Sequence, residues 1–307
     1  MYYFIVNPKS SSGKGIQYWR IVKKELEARQ ISYNVSYTKY QGHATEIAEI
    51  ISRRPGIKQV IILGGDGTVN EVVNGIVNFD QVLLGYIPSG SSNDLARSLN
   101  IPKDPIKALD NIINPTRFKY LDLGIINFLD QDLAQKKFCC SSGIGYDANV
   151  CVEVQASSLK KKLNRYGAGK LIYLAIAIKQ IIGIKSVDGT VIIDGVRKAS
   201  YKNILTICNM IHKYEGGGLL MAPFANPSDG KLSICLVHGM NRFKIFTLLP
   251  TLVIGKHINF RGVEAFNCSS IEINTSRILA VHTDGEVPTF SSHIKVKCVP
   301  GQIRMIL

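Results

Sequence analysis

Three glycines surround a carboxylate at the end of an apolar segment, in the sequence Gly64-Gly65-Asp66-Gly67-Thr68. The preceding run from Val60 to Leu63 is short and mostly β-branched, which predicts a buried strand of a parallel sheet. Apolar residues recur at helical spacing after Thr68, so this threonine is expected to cap a helix. Glycines let the backbone approach a ligand closely, and helix N-termini bind phosphate. The segment therefore predicts a phosphate site, with a plain turn in which Asp66 only caps as the alternative.

Two further segments have the same order of strand, polar loop and helix. The loop from Asn7 to Gly15 follows the apolar run Tyr3 to Val6, and the loop from Pro88 to Asn93 follows another apolar run. In a doubly wound sheet such loops lie together at the carboxyl edge of the strands, where nucleotides bind. The Gly-Lys pair of the first loop does not form a P-loop, because Gly15 occupies the position that requires Ser or Thr.

A late acidic segment, Asp284-Gly285-Glu286, follows a strand-like run. A turn that exposes the Asp284 carboxylate would suit a general base, and Glu286 could be its hydrogen-bonded carboxylate partner. A second Asp-Gly pair lies within the segment from Asn226 to Leu232. Because Asp-Gly also marks ordinary hairpins, a plain turn is the alternative at both places.

The chain of 307 residues is 46% hydrophobic and has a formal net charge of +14. The apolar content excludes a disordered chain and predicts one or two compact units. The positive charge predicts an acidic partner, which could be a nucleotide, nucleic acid or an anionic membrane face. Zinc-finger spacing and RNA-binding aromatic motifs are absent from the sequence, so we expect no nucleic acid partner.

A basic cluster precedes an apolar segment and favours a membrane surface. The alternative is a solvated loop leading into a core helix. The cluster consists of Lys160, Lys161, Lys162, Arg165 and Lys170. The apolar segment Leu171 to Ile184 is shorter than the roughly 20 residues that span a bilayer. No secretory signal opens the sequence. We therefore expect a cytoplasmic protein in peripheral contact with the inner membrane face.

The seven cysteines contain no CxxC pair, which argues against zinc and favours free thiols. Cys139 and Cys140 are expected to point to opposite faces of a strand.

Near residue 122 the alternation of helix and strand patterns gives way to shorter, strand-rich segments, which predicts a second domain. The expected strands are 137–140, 187–193, 203–209, 232–237, 270–274 and 294–299, with a hairpin turn at Asp194-Gly195.

Taken together, several motifs in this order resemble the diacylglycerol kinase catalytic family, and bacterial soluble lipid kinases most closely. They are the glycine loop with Asn70-Glu71, the segment Pro88-Ser89-Gly90-Ser91-Ser92-Asn93-Asp94-Leu95-Ala96, and Asp284-Gly285-Glu286. The resemblance runs from Asn7 to near the C-terminus. One departure is Gly90-Ser91, where the family commonly has Gly-Thr; the hydroxyl group is preserved.

The resemblance implies an α/β protein with an N-terminal doubly wound nucleotide-binding domain and a C-terminal β-sandwich-like domain. The expected ATP-binding domain covers residues 1–122, with a C-terminal segment, 291–307, that returns to it. Residues 123–290 would form the β-rich, lipid-side domain.

The resemblance also implies that the protein is a lipid kinase that depends on ATP and Mg²⁺. The reaction that this resemblance favours is the conversion of diacylglycerol to phosphatidate. Its lipid substrate would lie at an anionic membrane surface, and a homodimer is left open. An NAD kinase shares the Gly-Gly-Asp-Gly element, and a non-catalytic lipid or nucleotide sensor would keep the fold. Among lipid alcohols, a monoacylglycerol, a sphingoid base and undecaprenol also stay open.

Site residues carry over by position. Asp284 would deprotonate the acceptor hydroxyl, with Glu286 beside it, and Asp66 would hold Mg²⁺ directly or through water. Nucleotide contacts are expected from Asn7, Lys9, Ser10, Thr38, Gly64, Gly65, Asp66, Gly67, Thr68, Asn70, Glu71, Ser91 and Asn93. A structural Mg²⁺ would be bound by Asn226, Asp229 and the backbone carbonyl of Lys231.

Overall fold

A computed structural model describes residues 1–156, 169–183 and 185–307 of the chain. It divides into two compact units. The first contains Met1–Leu121 and Gly301–Leu307, and the second contains Asp122–Pro300. The predicted basic cluster Lys160–Arg165 lies outside the described residues, as does the side chain of Lys170.

The first unit is built on a parallel sheet in the order β4-β3-β1-β2. Its strands are β1 (Tyr2–Val6), β2 (Tyr33–Tyr37), β3 (Lys58–Gly64) and β4 (Val82–Pro88). The chain moves from β1 to one side for β2 and to the other side for β3 and β4. This reversal next to β1 is the switch point typical of doubly wound folds. The predicted doubly wound domain is confirmed.

Helices connect these strands. They are α1 (Ser10–Ala28), α2 (His43–Ser52), α3 (Asp66–Gly75), α4 (Asp94–Leu99) and α5 (Pro105–Ile113). Helix α1 packs with α5, and α2 packs with α3. The side chains of Trp19, Leu26 and Ile112 bury one sheet face in a shared core with Phe4 and Ile61. Because a parallel sheet is buried on both faces, β3 reads as a continuous apolar run.

The second unit is mainly antiparallel. Its strands are β5 (Phe118–Phe128), β6 (Lys136–Phe138), β7 (Ser141–Gly145), β8 (Val187–Ile193), β9 (Arg197–Met210), β10 (Leu232–His238), β11 (Val263–Cys268), β12 (Ser270–Thr283) and β13 (Glu286–Ile306), of which β5 begins and β13 ends in the first unit. The early part of β9 pairs with β8, and its later part pairs with β7 and β10. Long strands that change partners in this way enclose a core that includes Ile144, Ile207, Ile271 and Val281.

The hairpin between β8 and β9 turns at the predicted Asp-Gly pair. Asp194 has φ of 52° and Gly195 has φ of 72°, and the N–H of Val196 donates to the carbonyl of Ile193. Two consecutive positive φ angles define the type I′ turn that Asp-Gly favours, because this turn matches the twist of the paired strands.

Three helices of the second unit are described: α6 (Tyr146–Ala156), α7 (Gly169–Gly183) and α8 (Arg242–Leu252). A short 3₁₀ helix, Lys256–Asn259, follows α8. Within the described ranges, no helix has the length and apolar content needed to cross a membrane.

The C-terminal strand β13 belongs to both units. Its early residues pair with β12, whereas Arg304 and Met305 pair with Leu83 and Leu84 of β4. The returning segment of the first unit therefore begins at Gly301 instead of residue 291, because the strand keeps its antiparallel partner up to Lys297. The first boundary lies between residues 121 and 122.

All seven cysteines are free thiols, as expected. Cys139 and Cys140 do not lie in a strand, however. They form the bend between β6 and β7, and both are buried. Their backbone N–H groups are therefore available to a partner other than a neighbouring strand.

Candidate functional site

Asn7 joins the first loop to the glycine loop. Its side-chain amide donates to Oγ1 of Thr68 over 3.0 Å, and its Oδ1 accepts the N–H of Lys9 over 3.1 Å. The backbone N–H of Asn7 donates to the carbonyl of Leu63. The sequence predicted that Thr68 caps α3, and this prediction is wrong. Helix α3 begins at Asp66 after Gly65, and no side chain caps it.

The loop after β1 and the loop after β4 are joined by serines. The hydroxyl groups of Ser10 and Ser89 lie 2.7 Å apart, and those of Ser11 and Ser91 lie 3.3 Å apart. The glycine loop meets the second of these loops through backbone contact, where a Cβ built on Gly90 would lie 2.5 Å from the Cα of Gly65. The three predicted loops therefore come together at the carboxyl ends of β1, β3 and β4.

The first loop has an unusual backbone. Ser11, Ser12 and Gly13 have φ of 46°, 60° and 100°, so three consecutive residues are left-handed. Successive N–H groups in such turns form concave anion-binding sites. Gly15 follows, and a Cβ there would lie 2.0 Å from the carbonyl oxygen of Asn7. Only glycine allows this close return of the backbone.

The carboxylate of Asp66 lies between two helix N-termini. Asp66 is the first residue of α3, and its two oxygens accept the N–H groups of Asp94 and Leu95 at the start of α4 over 3.1 and 3.3 Å. Asp66 therefore caps the neighbouring helix α4. A carboxylate offers oxygen atoms of the kind that a hard cation such as Mg²⁺ prefers.

Asn93 supports the same loop from its other end. It has φ of 54°, donates from Nδ2 to the carbonyl of Gly90 over 2.9 Å, and accepts the hydroxyl of Tyr86 at Oδ1 over 3.2 Å. Asparagine tolerates this left-handed conformation better than most residues. Asn93 therefore positions Gly90 within the loop.

Other predicted contacts of the first unit have structural partners. The carboxylate of Glu71 accepts the N–H of Ala44 in the first turn of α2, so it caps that helix instead of supporting the glycine loop. The Oδ1 of Asn70 accepts the side-chain amide of Asn74. The remaining positions lie at or near the ends of strands: Lys9 is exposed, Gly64 ends β3, Gly67 is in the first turn of α3, and Thr38 follows β2 and donates its N–H to Val6.

In the second unit, the Asp284 carboxylate is held by three backbone N–H groups. Oδ2 accepts from Cys139 over 2.8 Å, and Oδ1 accepts from Cys140 over 2.7 Å and from Ser141 over 2.9 Å. Asp284 itself is left-handed, with φ of 48°. Cys139 and Cys140 lie in the bend between β6 and β7, and Ser141 begins β7, which explains why these cysteines do not continue a strand.

Glu286 has a different partner from the one expected. Its Oε2 accepts the side-chain amide of Gln155 over 3.2 Å, and the same amide donates to the carbonyl of Gly285 over 3.0 Å. The turn after β12 is therefore attached to α6 through Gln155. A role for Glu286 beside Asp284 stays a prediction.

The loop predicted to bind structural Mg²⁺ is organised by aspartates. Oδ1 of Asp229 accepts the N–H of Lys231 over 3.0 Å, and Oδ1 of Asn226 accepts the N–H of Ser228 over 3.3 Å. Asp122, which is 1% exposed, accepts the N–H of Gly230 over 2.7 Å. The sequence analysis missed Asp122. Its signal was an acidic residue between two leucines in an apolar strand, where burial requires a partner.

A buried cluster of ionisable groups, also missed, lies at the base of the Asp284 turn. Nε2 of His282 is 3.1 Å from Oδ2 of Asp147 and 3.0 Å from Oε1 of Glu215. Asp147 also accepts the Oγ1 hydroxyl of Thr206 over 2.5 Å and the thiol of Cys208 over 3.2 Å. We name Asp147, His282 and Glu215 the acid-histidine cluster. Its signal was a histidine inside the apolar run Ala280-Val281-His282.

Burial and neighbouring charges shift the pKa values of Asp147 and His282 in this cluster. Burial alone raises the pKa of Asp147, but the hydrogen bond and charge of His282 bring it below its ordinary value. Burial alone lowers the pKa of His282, but the charge of Glu215 and the bond to Asp147 raise it well above its ordinary value. Burial also raises the pKa of Cys151 to about 11, so this thiol stays protonated at neutral pH.

The ring of His282 is oriented from its other side as well. The backbone N–H of Gly285 faces Nδ1 at 3.3 Å, which is long for a hydrogen bond. This contact favours a neutral ring, but two carboxylates at about 3 Å are the stronger influence and favour the cation. His282 therefore connects the acid-histidine cluster to the Asp284 turn.

Among the described residues, one group of three side chains has the spacing of metal ligands: Asp147, Cys208 and Glu215. Nε2 of His282 already contacts both carboxylates of this group and supplies a positive partner for them. These residues therefore form a buried polar network and are not assigned as a metal centre.

Comparisons with known proteins agree with both units. Residues 1–124 match the diacylglycerol kinase catalytic domain, and residues 141–307 match the YegS C-terminal NAD kinase beta sandwich-like domain. A Bacillus subtilis (strain 168) protein named "Putative lipid kinase YtlR" is 30% identical over 290 residues, covering 93% of each chain. The chain belongs to the diacylglycerol kinase family of lipid kinases.

Further relatives of this lipid kinase agree with the assignment. A diacylglycerol kinase of B. subtilis is 28% identical and covers 92% of this chain and 88% of its own length. A solved structure entitled "Crystal structure of a putative diacylglycerol kinase from Bacillus anthracis str. Sterne" has a TM-score of 0.75, with 24% identity, 99% of this chain and 96% of that chain covered. The predicted family and the β-sandwich-like second domain are thereby confirmed.

Proposed function

We propose that this lipid kinase transfers the γ-phosphoryl group of ATP to the hydroxyl group of a lipid alcohol, with diacylglycerol as acceptor and phosphatidate as product. The observation that carries the proposal is the meeting of three polar loops at the carboxyl ends of β1, β3 and β4, through Asn7 with Thr68, Ser10 with Ser89, and Gly65 with Gly90. This position is the usual nucleotide site of doubly wound sheets.

The nucleotide phosphates would lie against backbone N–H groups. The left-handed run Ser11–Gly13 supports this role, as does the N-terminus of α3, which has no side-chain cap. Asn7, Lys9, Thr38, Ser91 and Asn93 would border the site. Asn70 and Glu71 would support the site indirectly, through the structure that they stabilise.

A negative carboxylate beside phosphates requires a cation between them. Asp66 offers oxygen ligands of the kind that Mg²⁺ prefers. Asn226, Asp229 and the carbonyl of Lys231 offer oxygen donors for the structural ion, and Oδ2 of Asp229 has no hydrogen bond among the described residues. When bound, Mg²⁺ would neutralise phosphate charge that develops during transfer.

Asp284 would act as the general base. The three donated N–H bonds fix the orientation of its carboxylate, which would accept the proton of an acceptor hydroxyl. The hydroxyl oxygen then forms a bond to the γ-phosphorus, the bond from that phosphorus to the bridging oxygen breaks, and ADP leaves with that electron pair.

The net charge of +14 supports an anionic lipid surface at the inner membrane face as the place of reaction. NAD as acceptor and a non-catalytic sensor are the competing functions. The shared Gly-Gly-Asp-Gly element supports the first of these, so NAD belongs in the acceptor panel.

The test is transfer of label from γ-labelled Mg-ATP to a panel of diacylglycerol, monoacylglycerol, sphingosine, ceramide, undecaprenol and NAD. We expect label in diacylglycerol with the wild type and at least roughly 10²-fold less with Asp284→Asn. Label only in another lipid would change the acceptor, and label in NAD would overturn the lipid kinase proposal. No label in any acceptor, with Mg-ATP binding intact, would favour the sensor.

A further inference from the structure

Helix α8 has an apolar side that its own unit does not cover. Phe243 is 76% exposed and Phe246 is 39% exposed, and Val253 and Ile254, directly after the helix, are 62% and 60% exposed. Phe243 and Phe246 lie three residues apart, nearly one turn of the helix, on one side of it, and Val253 and Ile254 follow in the turn at its C-terminal end. We name them, with the cations described below, the α8 face.

The opposite side of α8 is already occupied by the core. Ile245, Leu248 and Leu252 are buried there against Cys235 and Val237. A helix that is apolar on both sides is normally buried on both sides. Single exposed apolar residues are ordinary, but four large ones within a segment of 12 residues, Phe243 to Ile254, indicate an interaction surface.

The charged side chains from Gly239 to Val263 have one sign. Arg242, Lys244, Lys256 and Arg261 are all exposed. The sequence from Gly239 to Val263 contains no aspartate or glutamate. In the part of the chain that the structure describes, none of these four cations forms an ion pair. The α8 face is therefore both apolar and uniformly positive.

This combination distinguishes among three occupants. A second copy of the chain would place like charges opposite one another across a two-fold interface, which is unfavourable. Nucleic acid would satisfy the cations but would leave Phe243 and Ile254 without apolar contacts. An anionic bilayer supplies both partners, because acyl chains accept apolar side chains and headgroup phosphates accept cations.

We propose that the α8 face docks the protein on an anionic lipid bilayer. Phe243, Phe246, Val253 and Ile254 enter the boundary between headgroups and acyl chains, and Arg242, Lys244 and Lys256 remain among the phosphates. Docking of this kind is reversible and weakens with salt. The inference goes beyond the proposed function, since it assigns the membrane contact to a surface and not to the reaction.

The test is co-sedimentation of the full-length protein with vesicles of phosphatidylcholine alone or mixed with phosphatidylglycerol, without nucleotide or acceptor. We expect salt-sensitive binding to the mixed vesicles and little to phosphatidylcholine. Arg242→Gln with Lys244→Gln should weaken this binding roughly fivefold for each cation removed. Phe243→Ser with Ile254→Ser should weaken it about tenfold or more through lost apolar burial.

Matched controls carry the same substitutions at exposed positions of the first unit. Phe118 and Ile57 are 54% and 73% exposed, and Phe118→Ser with Ile57→Ser should bind as the wild type. Arg20 and Lys24 are exposed on α1, so Arg20→Gln with Lys24→Gln controls for a general loss of charge.

Several results would overturn the proposal. The wild type could fail to bind mixed vesicles, or the α8 variants could bind as the wild type does. Vesicle binding could also fall equally in the matched controls. A dimer that depends on Phe243, without vesicle binding, would identify a second copy as the occupant. The vesicle assay contains no nucleotide, so its result does not depend on phosphoryl transfer. Conversely, an absence of vesicle binding would not contradict the kinase proposal.

Discussion

The carboxylate of Asp284 accepts the backbone N–H of Cys140 over 2.7 Å, which attaches the turn after β12 to the bend between β6 and β7. The N–H groups of Cys139 in the bend and of Ser141 at the start of β7 also donate to this carboxylate. A single side chain thus orders two loops. This arrangement makes the aspartate a structural residue as well as the proposed base.

Asp284→Asn separates the two roles. Asparagine tolerates the left-handed φ of 48° and keeps one acceptor oxygen, but it cannot take up a proton. We expect turnover to fall by roughly 10²-fold to 10⁴-fold, the usual contribution of a general base. Nucleotide affinity, measured by calorimetry, should change little. Turnover at the wild-type level would remove Asp284 from the mechanism.

Asp284→Ala serves as the comparison for stability. It leaves three buried N–H groups without an acceptor, each of which costs about 1–3 kcal/mol if water does not replace it. Urea unfolding should therefore show a larger loss for the alanine variant than for the asparagine variant. Equal stability of the two would contradict the structural role.

Asp66→Ala should have two measurable effects. Loss of the bonds to Asp94 and Leu95 removes a cap from α4 and should lower stability by about 0.5–2 kcal/mol. Loss of the carboxylate should also weaken Mg-ATP binding more than binding of ATP without metal. Asp104→Ala removes the cap of α5 and is the matched control for stability alone. Undiminished Mg-ATP binding by the Asp66 variant would move the metal site elsewhere.

Gly90→Ala tests the contact between two of the loops. Its Cβ would lie 2.5 Å from Gly65 Cα and 2.7 Å from Oδ1 of Asn93, so the backbone must move. We expect nucleotide affinity to fall at least about tenfold, because a shift of the loop misplaces its neighbours. Gly183→Ala is the control, since a Cβ there has no neighbour within 4 Å. Unchanged affinity in Gly90→Ala would show that the loop contact is not required.

The acid-histidine cluster predicts a pH dependence of stability. The folded-state pKa of His282 lies above its unfolded value of about 6.5, so its contribution is complete below that pH and is lost as pH rises through the folded pKa. The pKa of Asp147 is lowered, so its contribution is present above about pH 4 and is lost as pH falls through the folded pKa. Maximal stabilisation is expected between these limits.

The measurement is thermal unfolding from pH 5.5 to 9 in the wild type and in His282→Asn. The variant should be less stable by roughly 3–5 kcal/mol at pH 6, as for other broken buried ion pairs, and the difference should narrow toward pH 9. His293→Asn, at a partly exposed histidine paired with Glu272, is the control and should lose much less. A gap that widens with rising pH would contradict the raised pKa of His282.

Sequence patterns identified the elements well where the signal was local. Strand β8 spans Val187–Ile193 as predicted, and β3 and β4 enclose the predicted apolar runs. The hairpin at Asp194 was correct because Asp-Gly requires only the conformations of two adjacent residues. Helix α3 was predicted with the wrong cap, because the hydroxyl oxygen of Thr68 accepts a hydrogen bond from Asn7, 61 positions away in the sequence.

The candidate site was predicted only in part, for the same reason. The composition of the glycine and serine loops predicts a phosphate site, and the order of the motifs indicates the family. No sequence motif contains the buried acidic residues Asp122, Asp147 and Glu215. Their importance depends on partners such as Gly230 and His282, which lie more than 60 residues away in the sequence.

By itself, the sequence determined the succession of strands and loops, the doubly wound first unit and the identity of the residues that can bind phosphate or accept a proton. These properties follow from local periodicity and from the chemistry of each side chain. Only the tertiary structure decided which backbone groups hold Asp284, which helix Asp66 caps, and which side of α8 stays exposed. Such pairings arise between residues distant in sequence, where packing and burial select partners that no local pattern contains.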